Sequence, residues 1–169
     1  TVGGSIWGRF GFSDVLTMFL ALDTEVELFK GGRVCLWDFV KMPKDRDILV
    51  HIIVKKTPIK TAYLSQRNTK TDFPVLACCV SLSEDGMKAV YGARPSKAFL
   101  LEDEENILKD AQTRSEEEKK AAYEKFADYA AKKVPTSGNM RGSAKYRTLL
   151  VKVLTRRALE AVGGMSDEN

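Results

Sequence analysis

Residues 73–93 read FPVLACCVSLSEDGMKAVYGA, and this stretch decides the fold. Positions 73–82 form a long apolar run of the kind strands favour. Pro74 near its start cannot donate to a ladder, which suits a strand end or edge. Glu84-Asp85-Gly86 is a turn signal, and 87–93 reads as a second strand. A connection this short holds no crossover helix, so the pair is antiparallel. A further strand at 60–66 precedes the polar loop 67–71, and the three strands read as an antiparallel meander.

From Pro95 onward the apolar spacing changes from two to about 3.6 residues. Positions 96–101 and 103–111 read as short helices. Ser115-Glu116-Glu117-Glu118 is a capping box. The helix it opens carries Tyr123, Phe126, Ala127, Ala130 and Val134 on one face, and Pro135 ends it. Glu116 and Lys120 stand four apart, in the favourable order for an ion pair. After a glycine-rich loop at 136–142, Ser143 caps a last helix. Its inward stripe is expected to be Tyr146, Leu149, Leu150, Val153 and Leu154, with Gly163-Gly164 closing it. Residues 165–169 read as a frayed tail.

Working back toward the start, 48–54 is a strand rich in β-branched residues. Two strand-like runs, 25–29 and 33–37, flank Gly31-Gly32 and read as a hairpin. Trp37-Asp38-Phe39 then runs into a loop-like Lys41-Met42-Pro43-Lys44. The polar Lys55-Lys56-Thr57-Pro58 is the candidate junction between two units. Strands followed by helices read as α+β. The expected division is residues 1–56 and residues 60–169.

The first fourteen residues carry the functional signal. Thr1-Val2-Gly3-Gly4-Ser5 puts a hydroxyl beside two glycines, which let the backbone take positive φ and approach a ligand closely. Their N–H groups can then face phosphate oxygens. Ser13 or Asp14 can cap the apolar run that follows. The pair lacks the spacing of the common nucleotide fingerprints.

The rest of the composition excludes more than it selects. A net charge of +4, interleaved with acidic residues, argues against nucleic acid as a partner. No apolar run approaches the roughly 20 residues needed to cross a bilayer. Cys35, Cys78 and Cys79 form no CxxC, and adjacent strand residues face opposite ways, so buried free thiols in a reducing cytoplasm are expected. His51 stands in an apolar strand without a carboxylate or Cys cluster beside it in sequence. No catalytic triad, metal spacing or Walker loop is present, so no catalytic residue and no metal ligand is assigned.

Four blocks in order carry a resemblance: Thr1-Val2-Gly3-Gly4-Ser5, Ser13-Asp14, Asp47-Ile48-Leu49, and Arg141-Gly142-Ser143-Ala144-Lys145-Tyr146-Arg147. Together the chain resembles the FAD-binding subunit of the molybdenum hydroxylases, the xanthine dehydrogenase and carbon monoxide dehydrogenase flavoprotein family. The resemblance implies that 1–56 is the C-terminal part of the FAD-binding domain and 60–169 the C-terminal domain. An earlier lobe with the first double-glycine loop precedes this region in the family, and this part alone is expected to be inactive. The resemblance also implies that Thr1, Val2, Gly3, Gly4 and Ser5 hold the FAD phosphates and that Asp14 bonds the FAD. Leu49 would pack on the isoalloxazine, and Tyr63 would stand beside the flavin. Ser5 stands where the family usually has Asn, and Trp7 and Phe10 add bulk to a segment that is often small.

The implied function is electron transfer in an oxidoreductase. A partner subunit would hold molybdopterin and another the 2Fe-2S clusters, with NAD or another acceptor beyond the FAD. No membrane is implied. The rival reading is a module that docks such subunits without bound flavin.

Overall fold

The computed structural model describes residues 1–83 and 86–164. The turn expected at Glu84-Asp85 and the tail expected at 165–169 lie outside the described residues. Two short helices come first, α1 (Val2–Gly8) and α2 (Asp14–Ala21). Next come β1 (Thr24–Leu28), β2 (Gly32–Cys35), α3 (Leu36–Lys41) and β3 (Leu49–Val54). The second unit holds β4 (Lys60–Gln66), β5 (Leu76–Ser83), β6 (Gly86–Gly92), β7 (Phe99–Leu101), α4 (Glu116–Lys133) and α5 (Ala144–Gly163). The fold is α+β, with two antiparallel sheets in the orders β2-β1-β3 and β4-β5-β6-β7.

The second sheet is a wall between two cores. Successive residues of a strand face opposite sides, and here both sides are covered. Leu76, Cys78, Val80, Ala89 and Tyr91 pack with α4 and α5. Cys79 and Val90 face the other way and join Leu16, Leu20, Val26 and Phe39 of the first unit. The junction at 55–59 therefore separates two sheets but not two independent cores. The approach across the wall is close. A Cβ on Gly92 would stand 2.2 Å from Thr17 Oγ1, and one on Gly11 would meet the Ser96 carbonyl oxygen at 1.8 Å.

The sheet has four strands, not three. Residues 99–101, expected to be helical, pair with β6 through Val90↔Leu100. Leu101 faces one core and Leu100 the other, a period of two that burial on both sides rewards. Nor does 103–111 form a helix. The Asp103 carboxylate accepts the N–H groups of Ile107 (2.9 Å) and Leu108 (2.6 Å), which competes with helical pairing. Asn106 and Asp110 then take left-handed φ values of 54° and 56°, leaving a 3-10 turn at Ala111–Thr113. Residues 36–41, expected to finish a strand and enter a loop, form α3, because Leu36, Phe39 and Val40 bury one helical face.

The helix caps are as expected. Ser115 and Glu118 complete the capping box, Ser13 and Ser143 accept first-turn N–H groups, and Gly164 ends α5 at φ 76°. Glu116 pairs with Lys119 at 2.8 Å rather than with Lys120. The stripe of α5 is rotated from expectation. Tyr146 and Leu149 are exposed, and Arg147 and Val151 are buried in their place.

Arg147 is fully buried because it ties the loop before α5 to the sheet. Its Nε donates to the Val75 carbonyl at 2.8 Å. Nη1 donates to the carbonyls of Ser137 (2.8 Å) and Gly142 (2.5 Å), and Nη2 to Asn139 Oδ1 (2.6 Å). Cys78 and Cys79 are buried free thiols, but Cys35 is exposed at the end of an outer strand. His51 lies on the edge strand β3, with Nδ1 2.7 Å from Glu27 Oε2.

Candidate functional site

The glycine pair does not curl into a positive-φ loop. Gly3 and Gly4 form the first turn of α1, and positive φ among the described glycines occurs at Gly32, Gly86 and Gly164. The cause is local. Thr1 Oγ1 accepts the Gly4 N–H at 3.1 Å, and the Ser5 N–H reaches the Thr1 carbonyl at 3.0 Å. Ile6, fully buried, anchors the turn. The N–H groups of Val2 and Gly3 have no acceptor within the helix, as in any first turn. Both glycines are exposed, and a Cβ on Gly3 would meet nothing within 4 Å. The result is a bare backbone surface at the positive end of a helix dipole, which suits an anion.

Asp14 opens α2, where Ser13 Oγ accepts the Leu16 N–H at 3.1 Å. Its carboxylate is held from two sides. Tyr63, on β4, donates its hydroxyl to Oδ1 at 2.5 Å, and Arg67 Nη2 donates to Oδ2 at 2.6 Å. Burial first, and then the bond to Asp14, raises the Tyr63 pKa well above the ordinary phenol value. The same carboxylate raises that of Arg67. A carboxylate offers about four acceptor sites, so Asp14 keeps capacity for another donor.

Arg67 extends the network. Its Nη1 donates to the Asp72 carbonyl at 2.6 Å. The Asp72 carboxylate pairs with Arg141 at 3.0 Å, and that bond, followed by the Phe73 N–H, lowers the Asp72 pKa. The guanidinium of Arg141 lies 5.3 Å from the Phe73 ring centroid. Phe12, Phe73 and Arg141 help line a cleft of 360 Å³ beside this chain of charges.

Leu49, at the start of β3, is half-buried and packs on the rim of the first unit's core, as does Tyr63. Asp47 serves a different end. It accepts the N–H groups of Lys30 (2.9 Å), Gly31 (2.8 Å) and Ile48 (2.8 Å) and so fixes the hairpin turn. Burial alone would raise its pKa, but these three donors outweigh it and the pKa is lowered.

Of the residues singled out from sequence, Asp14 and Tyr63 are directly bonded. Leu49 packs on the same core as Tyr63, and Thr1–Ser5 form the cap and first turn of α1, which packs against α2 and β3. The sequence reading pairs neither Arg67 with Asp14 nor Arg141 with Asp72. Their separation in sequence hid the pairing, although Arg67 and Asp72 bound a polar loop. Trp7 packs against Phe39 with centroids 5.8 Å apart, and Phe10 stacks on Phe12 at 5.2 Å, so the added bulk is used. Among the described residues there is no metal-binding cluster, and no helix is long and apolar enough to cross a membrane.

Comparison with known proteins gives consistent findings. Residues 61–162 match the family model of the CO dehydrogenase flavoprotein C-terminal domain. The chain is 31% identical over 106 residues to the uncharacterized protein YgfM of Escherichia coli K12, which covers 62% of this chain and 40% of YgfM. Carbon monoxide dehydrogenase from Hydrogenophaga pseudoflava superposes with a TM-score of 0.74 at 20% identity, covering 98% of this chain and 61% of that one. Quinoline 2-oxidoreductase from Pseudomonas putida 86 gives 0.77 at 17% identity, with 98% and 61% covered. The chain thus spans less than two thirds of each of these relatives.

Proposed function

Since the chain belongs to the CO dehydrogenase flavoprotein C-terminal domain family, we propose that it is part of the FAD-carrying subunit of a molybdenum hydroxylase. In this reading electrons arrive from an iron–sulfur partner, pass through FAD, and leave to NAD or another acceptor. Substrate hydroxylation belongs to a molybdopterin-containing partner. The flavin, when bound, supplies the one- and two-electron chemistry, and the protein sets its position and surroundings.

The residues present fit such a group. The first turn of α1 offers free N–H groups on a backbone without side chains at Gly3 and Gly4, so a phosphate can come close. Thr1 and Ser5 add hydroxyls, and Val2 adds backbone. Asp14, clamped by Tyr63 and Arg67, presents a fixed acceptor for ribityl or ribose hydroxyls. Leu49 supplies an apolar wall and Tyr63 an aromatic edge. The observation that carries the reading is the Asp14–Tyr63 bond, which joins two positions implied separately by the family resemblance and 49 residues apart.

The experiment is FAD titration of the full-length encoded protein, followed by calorimetry and by the flavin visible band. Micromolar or tighter binding that weakens at least tenfold in Asp14→Ala supports the reading. No binding by the full-length protein overturns it. Co-purification of flavin-free protein with an iron–sulfur subunit would instead favour the docking-module reading, in which the Asp14–Tyr63–Arg67 cluster is self-sufficient and purely structural.

A further inference from the structure

At the opposite end of α1 from the glycine turn lies a second cleft, of 580 Å³. Its wall includes Arg9, Lys41, Lys44 and Lys97, with Phe10 and Met42 between them, and no carboxylate side chain lines it. Four cations around one hollow repel each other unless something offsets them.

Arg9 is the informative member. It is only 7% exposed, yet among the described residues it makes no ion pair. Nη1 donates to the Met42 carbonyl at 2.6 Å, while Nε is buried without a partner. Buried polar groups ordinarily find partners, and a buried charge without a counter-ion is costly. Burial lowers the Arg9 pKa even though the charge of Asp45 acts against that. The backbone at Arg9 is left-handed, with φ 51°, a helix end where glycine is the ordinary choice. The guanidinium lies 4.0 Å from the Phe39 centroid and 5.6 Å from that of Trp7, which holds it in place.

The surrounding groups are set in a similar way. Lys97 Nζ donates to the Val40 carbonyl at 3.1 Å, which leaves further N–H groups on the ammonium. Lys44 Nζ lies 5.4 Å from the Phe10 centroid. Phe10 is 48% exposed and stacks on Phe12 at an interplanar angle of 8°. The hollow thus combines a fixed planar guanidinium, lysine ammonium groups and a partly exposed aromatic ring.

We infer that this cleft binds a phosphate-bearing small molecule at a site separate from the flavin-phosphate turn at Thr1–Ser5. Guanidinium suits phosphate through its planar fork, and lysines act as point charges around it. A concave pocket with a nearly buried arginine favours a small anion over the face of a protein partner. Phe10 gives a flat group on the same ligand a surface to stack on.

The test is calorimetric titration of the full-length protein with pyrophosphate and, separately, ADP, in low-salt chloride buffer, each without FAD and again with FAD at saturation. Both lysines at 41 and 44 are exposed, so Lys41→Ala/Lys44→Ala should leave the fold intact, as a matched melting temperature would verify. The expected result is pyrophosphate binding that weakens at least tenfold in this double variant and is unchanged in Lys55→Ala/Lys56→Ala, which removes equal charge elsewhere. ADP binding more tightly than pyrophosphate would assign the stacking role to Phe10. Three results overturn the inference: no pyrophosphate binding by the unaltered protein, equal weakening in both double variants, or loss of binding when FAD is present. The last would make this cleft the flavin's own phosphate seat. Failure of FAD to bind while pyrophosphate binds would leave this site standing and refute the flavin reading alone.

Discussion

Replacing Arg147 with methionine removes a buried knot while keeping much of the side-chain volume. Four acceptors lose a charged donor: the carbonyls of Val75, Ser137 and Gly142, and Asn139 Oδ1. Hydrogen bonds to a charged group contribute about 1.5–3 kcal/mol each. The sum overstates the loss, because the desolvation penalty of the guanidinium disappears with it. The Gly142 carbonyl also keeps its bond from the Asn139 N–H, at 3.0 Å. A net loss of about 3–5 kcal/mol is expected, close to what breaking a buried charged network ordinarily does. Urea unfolding with a common m-value reads it directly as a fall in midpoint. Arg147→Lys should recover only part, since one ammonium cannot reach acceptors spread over the planar fork. A loss below about 1 kcal/mol for Arg147→Met would mean that the loop at 136–142 is held by other contacts, and would refute the reasoning.

Other outcomes follow from the same geometry. Gly92→Ala should destabilise by about 1–3 kcal/mol through overpacking, because its Cβ would stand 2.2 Å from Thr17 Oγ1. Combined with Thr17→Ala the loss should shrink, and additive losses in a double-mutant cycle would refute the contact. The raised Tyr63 pKa stabilises the fold below the unfolded-state value of about 10 and is lost as pH rises through the folded value. Tyr63→Phe should therefore flatten the alkaline limb of the stability profile, and an unchanged limb would count against the buried phenol. Asp72 shows the opposite sign. Its lowered pKa stabilises above about pH 4 and the contribution is lost as pH falls through the folded value. Asp72→Asn should lower stability at neutral pH and reduce its further loss in acid, measured by urea midpoints between pH 7 and pH 2.

Much of the architecture is legible in local chemistry. Caps at Ser13, Ser115 and Ser143 need only an oxygen three residues before a free N–H, so a short window of sequence suffices. Strands β3 to β6 are plain because β-branched and apolar runs are bounded by polar breaks. Misreadings occur where a distant surface decides. Residues 99–101 carry too few positions to show a period, and only the two cores on either side make them a strand. Arg147 looks like an exposed helical cation until the carbonyls of the loop at 136–142 and of Val75 are brought round it. At the candidate site Asp14 and Tyr63 came from resemblance, and their bond is a fact of the folded chain. Arg67 and Arg141 were hidden because a pairing between residues 53 and 69 positions apart leaves no local trace.

The wall shared by the two cores has a consequence for how the molecule comes apart. Cys79 and Val90 look toward the first unit while their neighbours Cys78 and Tyr91 look toward the helices. A protease cut within 55–59 would leave two pieces that still cling, because stripping one away bares an oily sheet surface. Heating should consequently give one melting event for both halves, and neither half should survive expression by itself without clumping.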